Sequence, residues 1–334
     1  MYCQPSRMIQ LFKTSSWLAL VVLWLYAIML NANLIVHLPD LALADTTTPF
    51  YAACIAFIER LTADNPYLPI MLYVGAVFLQ SIMLNAAVNN YRLFESRNYV
   101  VALSYITLAA LFNEYLYWSA PFLAVFPLLF ALERLMNSYD DHTYAEPYDV
   151  GLSVGIASLL YLPAGILFLF AVISLSMLRA FTWRHWLLCL GGIGTAYFLA
   201  GTYYFYTDRL EQTFVTHFSH VTTGVAHIKL QFWQVGAKML LLGGVLLLAL
   251  GYFQQEYYRS MVKIRKYMTV ITYLLAVGIV MFFFIERFTL APLATTLVGA
   301  AVLWGYALHH IRRTRTVELL HLSLMVAILL LQYV

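Results

Sequence analysis

A chain of 334 residues that is 63% hydrophobic and 10% charged, with a mean hydropathy of +0.77, is not a soluble domain. Its net charge of +3 is gathered in clusters beside apolar runs, which speaks for membrane topology and against a nucleic-acid surface. Three cysteines, Cys3, Cys54 and Cys189, show no CxxC or metal spacing, so neither a disulfide framework nor a zinc site is expected.

In chain order, the first apolar run is Ser15 to Val36, long enough to cross a bilayer. Arg7 and Lys13 precede it as in a secretory signal, but no cleavage site follows, so the run is expected to stay as an anchor. The polar interval after it, Asp40 to Tyr67, contains ADTTTPFYAACIAFIERL. Thr48 stands at a helix cap, Pro49 fits the first turn, and Phe50, Ala53, Cys54, Phe57, Ile58 and Leu61 recur on one face. A helix of about 14 residues is roughly 20 Å long, short of a hydrocarbon core of roughly 30 Å. It is expected to lie in the interface, within an exterior loop over residues 38–67.

Further spans are expected at Leu68 to Val88, Tyr99 to Trp118 and Ala120 to Leu135, with turns at Asn65-Pro66 and Ser119-Ala120-Pro121. Arg92 and Arg97 share a side with Arg7 and Lys13, which puts the N-terminus in the cytoplasm and the first acidic loop outside. Val150 to Leu178 reads as one tilted helix or as two short ones broken at Pro163. Two passes keep Arg179, Arg184 and the later Arg259, Lys263, Arg265 and Lys266 on the cytoplasmic side, and that reading is adopted. Trp186 to Tyr206 follows, then a second exterior segment over 207–233. The last spans are Val235 to Gln254, Tyr267 to Ile285, Leu290 to Leu308 and Val317 to Val334. The expected architecture is a single all-α, polytopic membrane domain over residues 1–334, with about 11 membrane helices plus one interfacial helix and an exterior C-terminus.

Several side chains stand where chemistry is feasible. Asp45, just ahead of the interfacial helix, is placed to act as a general base, to hold a divalent ion with Asp40, or simply to cap backbone donors. Glu114, in LFNEYLYW near the exterior end of the third span, is costly there unless paired, protonated or facing water. It is either a functional carboxylate or one satisfied by Asn113, Tyr115 or a neighbouring helix. Asn85 and Asn89 share a helical face and suit hydrogen bonds between helices. His217, His220 and His227 lack the accompanying carboxylate of a metal site. Arg209, Lys229, Lys238 and Arg287, all at the exterior boundary, suit an anionic group such as lipid phosphate or pyrophosphate, or ordinary interface anchoring. EYYRSMVKIRK and HHIRRTRT read as cytoplasmic charge facing anionic lipid, and NSYDDHTYAEPYD as a solvated turn.

The order LQSIMLNAAVNNYRLFESRNYVVALSYITLAALFNEYLYWSAP, LFALERLM, GLSVGIASLLYLPAGILFLFAVISLSMLRAFTWRHW and TAYFLAGTYYFY, between Leu79 and Tyr206, resembles an uncharacterised multi-pass inner-membrane family of Bacteroidota. That family is similar in layout to the GT-C membrane glycosyltransferases, which use polyprenyl-phosphate sugars and place a catalytic carboxylate in the first exterior loop beside an interfacial helix. The matching elements are ADTTTPFYAACIAFIERL for the loop and helix, YRLFESRNYVVALSYITLAAL for the third helix, and GLSVGIASLLYLPAGILFLF for the small-residue helix pair. The resemblance implies Asp45 as base or metal-organising carboxylate and Arg209 or Arg287 as a lipid-phosphate contact. The departures are a first loop with only HLPDLALA before Asp45, leaving Asp40 as a poor substitute for an earlier acidic motif, and no large exterior C-terminal domain.

The leading expectation is therefore a bacterial inner-membrane, GT-C-like protein acting at the periplasmic face on a polyprenyl-phosphate-linked sugar, with membrane lipid as its surroundings. No cofactor is required, although a divalent cation on the Asp45 loop would be consistent. The alternatives are a non-enzymatic membrane scaffold or accessory subunit, and a transporter using Glu114 as its coupling carboxylate.

Overall fold

The computed structural model describes residues 8–14, 16–37, 48–62, 65–139, 144–179, 182–219, 232–257, 260–283, 290–311 and 313–333. These residues are helical throughout, with no strand among them. The first half holds α1 (Met8–Phe12), α2 (Trp17–Leu30), α3 (Ala32–Val36), α4 (Pro49–Thr62), α5 (Leu68–Asn90), α6 (Val100–Leu111), α7 (Asn113–Leu116) and α8 (Ala120–Asn137). Then come α9 (Ala145–Leu160), a 3-10 turn (Leu162–Ile166), α10 (Leu167–Leu178), α11 (Trp183–Tyr206) and α12 (Leu210–Ser219). The chain finishes with α13 (Phe232–Tyr257), α14 (Val262–Phe283), α15 (Leu293–His310) and α16 (Thr314–Tyr333).

Six of these, α5, α8, α11, α13, α14 and α16, are long and apolar enough to cross a membrane. The expected count of about 11 would further need α2 with α3, α6 with α7, α9, α10 and α15 to cross. Between α9 and α10 the helix gives way at Tyr161, whose extended backbone (φ −142°, ψ 101°) stands two residues before Pro163. Leu162 then opens the 3-10 turn with Pro163 second, a first-turn position where the missing N–H costs no helical bond. Glu146, at the start of α9, meets Asn137, and Arg179, just past α10, donates to the carbonyl of Ser138 at 2.6 Å. The chain thus goes out along α9 and comes back along α10, as the two-helix reading requires.

The core is built on α6 and α15, both buried on every side, which is why their sequences are apolar all round and lack an amphipathic stripe. Ser104 and Thr107 are accommodated by turning their hydroxyls onto carbonyls of their own helix, Val100 and Leu103, at 2.8 and 2.7 Å. In hydrocarbon, apolar side chains gain little by leaving lipid for protein, so close backbone approach and interhelical hydrogen bonds carry the packing. The tightest crossing is α9 on α11, where Gly151 and Gly155 face Cys189, Ile193 and Ala196, and Gly192 faces Tyr148 and Leu152.

The two ends of the bundle differ in charge. One end gathers Lys13, which donates to His309, together with Arg134, Arg179 and the start of α14. There Asn85 and Asn89 share a face, as their spacing predicts, but both donate to the carbonyl of Asn98, joining α5 to the loop before α6 and not to another helix. The turn between α8 and α9 is a correction: Glu146 is buried, bonded to Asn137 at 2.6 Å and near Arg134 at 3.7 Å, with Asp149 at 3.6 Å from the same arginine. A cation on the last turn of α8 draws these carboxylates in, so this part of the acidic segment is an ion-paired joint and not a solvated turn. Asp140, Asp141 and His142 lie outside the described residues.

The opposite end carries α4 and α12. Helix α4 spans 14 residues from Pro49, as expected, but the Thr48 hydroxyl donates to the carbonyl of Leu160 at 2.8 Å, tying α4 to the end of α9. Tyr51 donates to the carbonyl of Trp118 at 2.7 Å, and burial pushes its hydroxyl up to about 12, which keeps it a donor. Trp118 itself adopts a left-handed conformation (φ 45°), held by its indole N–H on Pro69 at 3.0 Å.

Candidate functional site

Two helices break side by side at the α4 end. Helix α2 stops at Asn31, whose side-chain amide donates to Ala27 at 2.9 Å and competes with the helical ladder. Helix α6 stops at Phe112 before resuming as α7. Asn113 donates to Asn31 Oδ1 at 3.3 Å, linking the two breaks, while Gln332 of α16 donates to Leu30 O at 3.1 Å and Ala110 O at 2.7 Å. The carbonyls released by both breaks are thereby partly satisfied by one glutamine.

Glu114, two residues past the second break, projects from this seam. Its Oε1 accepts from Asn33 at 3.2 Å and its Oε2 from Lys238 of α13 at 3.2 Å. The two charges are unequally placed, for the Lys238 side chain is 1% exposed and that of Glu114 37%. The ammonium also lies 5.4 Å from the centre of the Tyr115 ring, which faces it with negative π density. Sequence reasoning put Lys238 among boundary cations awaiting an anion; in the fold its charge is already paired with Glu114. Glu114 has both partners and an exposed edge, and of the partners expected, Asn113, Tyr115 or a neighbouring helix, it is neighbouring helices that supply them, Asn33 from α3 and Lys238 from α13.

Asn33 Oδ1, Asn113 Oδ1 and Gln332 Oε1 are shielded from solvent without a donor among the described residues. An acceptor surplus beside two helix C-termini, where backbone dipoles add negative potential, suits a proton donor or a cation. Glycine and proline are the usual sequence signals of a broken span. The breaks at Asn31 and Phe112 carry neither; asparagines at equivalent depth in two spans were the available clue.

The other expected site residues fall differently. Asp40, Asp45, Lys229 and Arg287 lie outside the described residues. Arg209 is exposed, following Asp208 in a left-handed turn (φ 52°) that closes α11, and its N–H bonds Tyr204 O at 3.0 Å. Among the described residues no group of three His, Cys, Asp or Glu side chains comes together, and His220 and His227 lie outside them. No family model, curated protein or solved structure matches this chain. Function is to be read from its own residues.

The remaining feature of this end is a narrow apolar crevice under α12, walled by Pro49, Phe50, Leu159, Tyr204 and Phe214. At its base His217 Nε2 meets Tyr197 OH at 3.4 Å, and Ser158 lies 3.0 Å from the same phenol. The side chains packed on His217 are rings, Tyr197 and Phe218, and burial lowers its pKa below the ordinary 6.5. A group that binds its proton less readily when docked favours docking above its ordinary pKa and opposes it as pH falls through that value. Amide exchange across α12, taken relative to the intrinsic rate at each pH, is therefore expected to accelerate from pH 7 to 5, and to lose that dependence in His217→Phe. Equal acceleration in the variant would assign the effect elsewhere.

Proposed function

We propose that the chain is a bacterial inner-membrane protein of GT-C-like layout that handles a polyprenyl-phosphate-linked sugar at the end bearing α4 and α12. The N-terminus and the basic end face the cytoplasm by the positive-inside rule, and the C-terminus faces the periplasm. What supports the reading is α4: a short amphipathic helix tied by Thr48 to Leu160 and by Tyr51 to Trp118, at the same end as the half-exposed Glu114. Asp45 stands three residues before Thr48 in the sequence.

In the proposed reaction the acceptor hydroxyl attacks the anomeric carbon, its proton passes to the Asp45 carboxylate, and the bond from sugar to polyprenyl phosphate breaks. Arg209, Lys229 and Arg287 neutralise the phosphate that leaves, while Asp40 or a divalent cation assists at the loop. Glu114 is the second carboxylate, kept in place by Lys238.

The test is complementation of a deletion by Asp45→Asn and Asp45→Ala, with membrane levels checked and lipid-linked and surface glycans profiled by mass spectrometry. Failure of both with accumulation of a lipid-linked sugar is the expected outcome. Full complementation by both would remove catalysis from that loop. It would favour the second reading, a non-enzymatic scaffold or accessory subunit, which draws on the filled interior around α6 and α15. A transporter is the third reading, drawing on the paired helix breaks, and it requires Glu114→Gln to abolish function while Asp45→Asn does not.

A further inference from the structure

We propose that the cleft between α13 and α14 at the basic end binds one anionic phospholipid, its chains between the two helices and its phosphate on the cations that open α14. Helices α13 and α14 follow one another in the chain, yet each packs on α15 and not along the other. Between them is an open cleft, lined by Phe253, Gln254 and Tyr257 of α13 and by Thr269 and Thr272 of α14. On the α15 side, Tyr306 stands 6.4 Å ring to ring from Phe253. Thr269 and Thr272 donate their hydroxyl protons to Arg265 and Met268 of their own helix, at 2.8 and 2.9 Å. On that wall neither hydroxyl has a proton left to donate, so with Phe253 opposite it accepts a hydrocarbon chain, while Gln254 and Tyr257 give the α13 wall a polar edge.

The charges above the cleft select the headgroup. Lys263, Arg265 and Lys266 occupy the first turns of α14, where the helix dipole is already positive, so their charge weakens the helix they sit on. Arg265, Thr269 and Thr272 are spaced i, i+4 and i+7 and share a face, which carries the cleft up to the guanidinium. Its Nε is shielded from solvent and has no acceptor among the described residues. Lys263 and Lys266 lie 5.8 and 5.1 Å from the Tyr139 ring centre, which keeps both ammonium groups at this level. A phosphate oxygen supplies the acceptor that Arg265 Nε lacks. Free phosphate leaves the cleft empty, and a zwitterionic lipid adds no net negative charge beside Arg265 and its neighbours. An anionic phospholipid answers both.

The experiment uses the full chain in nanodiscs made of equal parts phosphatidylglycerol and phosphatidylcholine, with the lipids that stay bound read by native mass spectrometry. Phosphatidylglycerol is expected to be retained over phosphatidylcholine. Arg265→Gln should weaken that preference about fivefold, the value of one cation at a charged membrane surface. Thr272→Trp, which fills the cleft without changing charge, should release the lipid too, whereas Arg184→Gln, removing an exposed cation on α11 at the same end, should leave retention unchanged. Each variant is first checked for wild-type thermal unfolding. Equal retention of the two lipids overturns the proposal. So does dependence on one of Arg265→Gln and Thr272→Trp without the other, since the site needs both its charge and its cleft.

Discussion

Replacing Glu114 by alanine is expected to destabilise the protein by about 3 kcal/mol, the lower end of the range for stripping one partner from a buried ion pair. The reason lies in the asymmetry of the pair. Lys238 is 1% exposed, so without Glu114 its ammonium is left in a low-dielectric site with only the Tyr115 ring opposite it. The exposed edge of Glu114 lets water reach that side, which keeps the loss from the upper end. Changing both residues, Glu114→Leu with Lys238→Met, should recover most of the stability, because the desolvation cost disappears together with the attraction. Thermal unfolding of the two single variants and the double in one detergent closes the cycle. Should Glu114→Ala unfold at the wild-type temperature, the pair is only a surface contact and Lys238 has another partner. Activity separates from stability in the double variant: a pair that only holds α7 to α13 permits function there, and a carboxylate that takes part in chemistry does not.

The second large effect concerns two adjacent glycines on α11. A methyl group on Gly192 would overlap Tyr148 O and come 2.5 Å from Leu152 N, so the α9 backbone would have to move. Gly192→Ala is expected to cost about 3 kcal/mol, and Gly192→Leu to prevent the two helices from docking. Gly191, one residue earlier, has no atom within 4 Å of where its methyl would stand. Gly191→Ala should be neutral or stabilise by up to about 1 kcal/mol through helix propensity alone. Unfolding temperatures and expression levels of the two alanine variants, side by side, decide it. Similar behaviour would mean the α9–α11 crossing is looser than its backbone contacts imply.

The sequence by itself determined the all-helical, membrane-type architecture, because long apolar runs bounded by charge leave the backbone no other way to satisfy its hydrogen bonds in lipid. It also determined α4 almost to the residue, since Thr48, Pro49 and a repeating apolar face are local signals that need no tertiary partner. The out-and-back path of α9 and α10 was legible from charge parity around Arg179, a long-range constraint that happens to be written in composition. Tertiary structure alone decided the rest. The breaks at Asn31 and Phe112 are held by amide hydrogen bonds between different helices, and an asparagine at or beside each is their local sign, too weak to set a break by itself. The pairing of Glu114 with Lys238 joins residues 124 apart, and periodicity within either helix says nothing of the partner across the bundle. Glu146 was read as solvated for the same reason: an acidic stretch looks alike in sequence whether it faces water or an arginine from the preceding helix, and only the packing of α9 on α8 brings Arg134 to it.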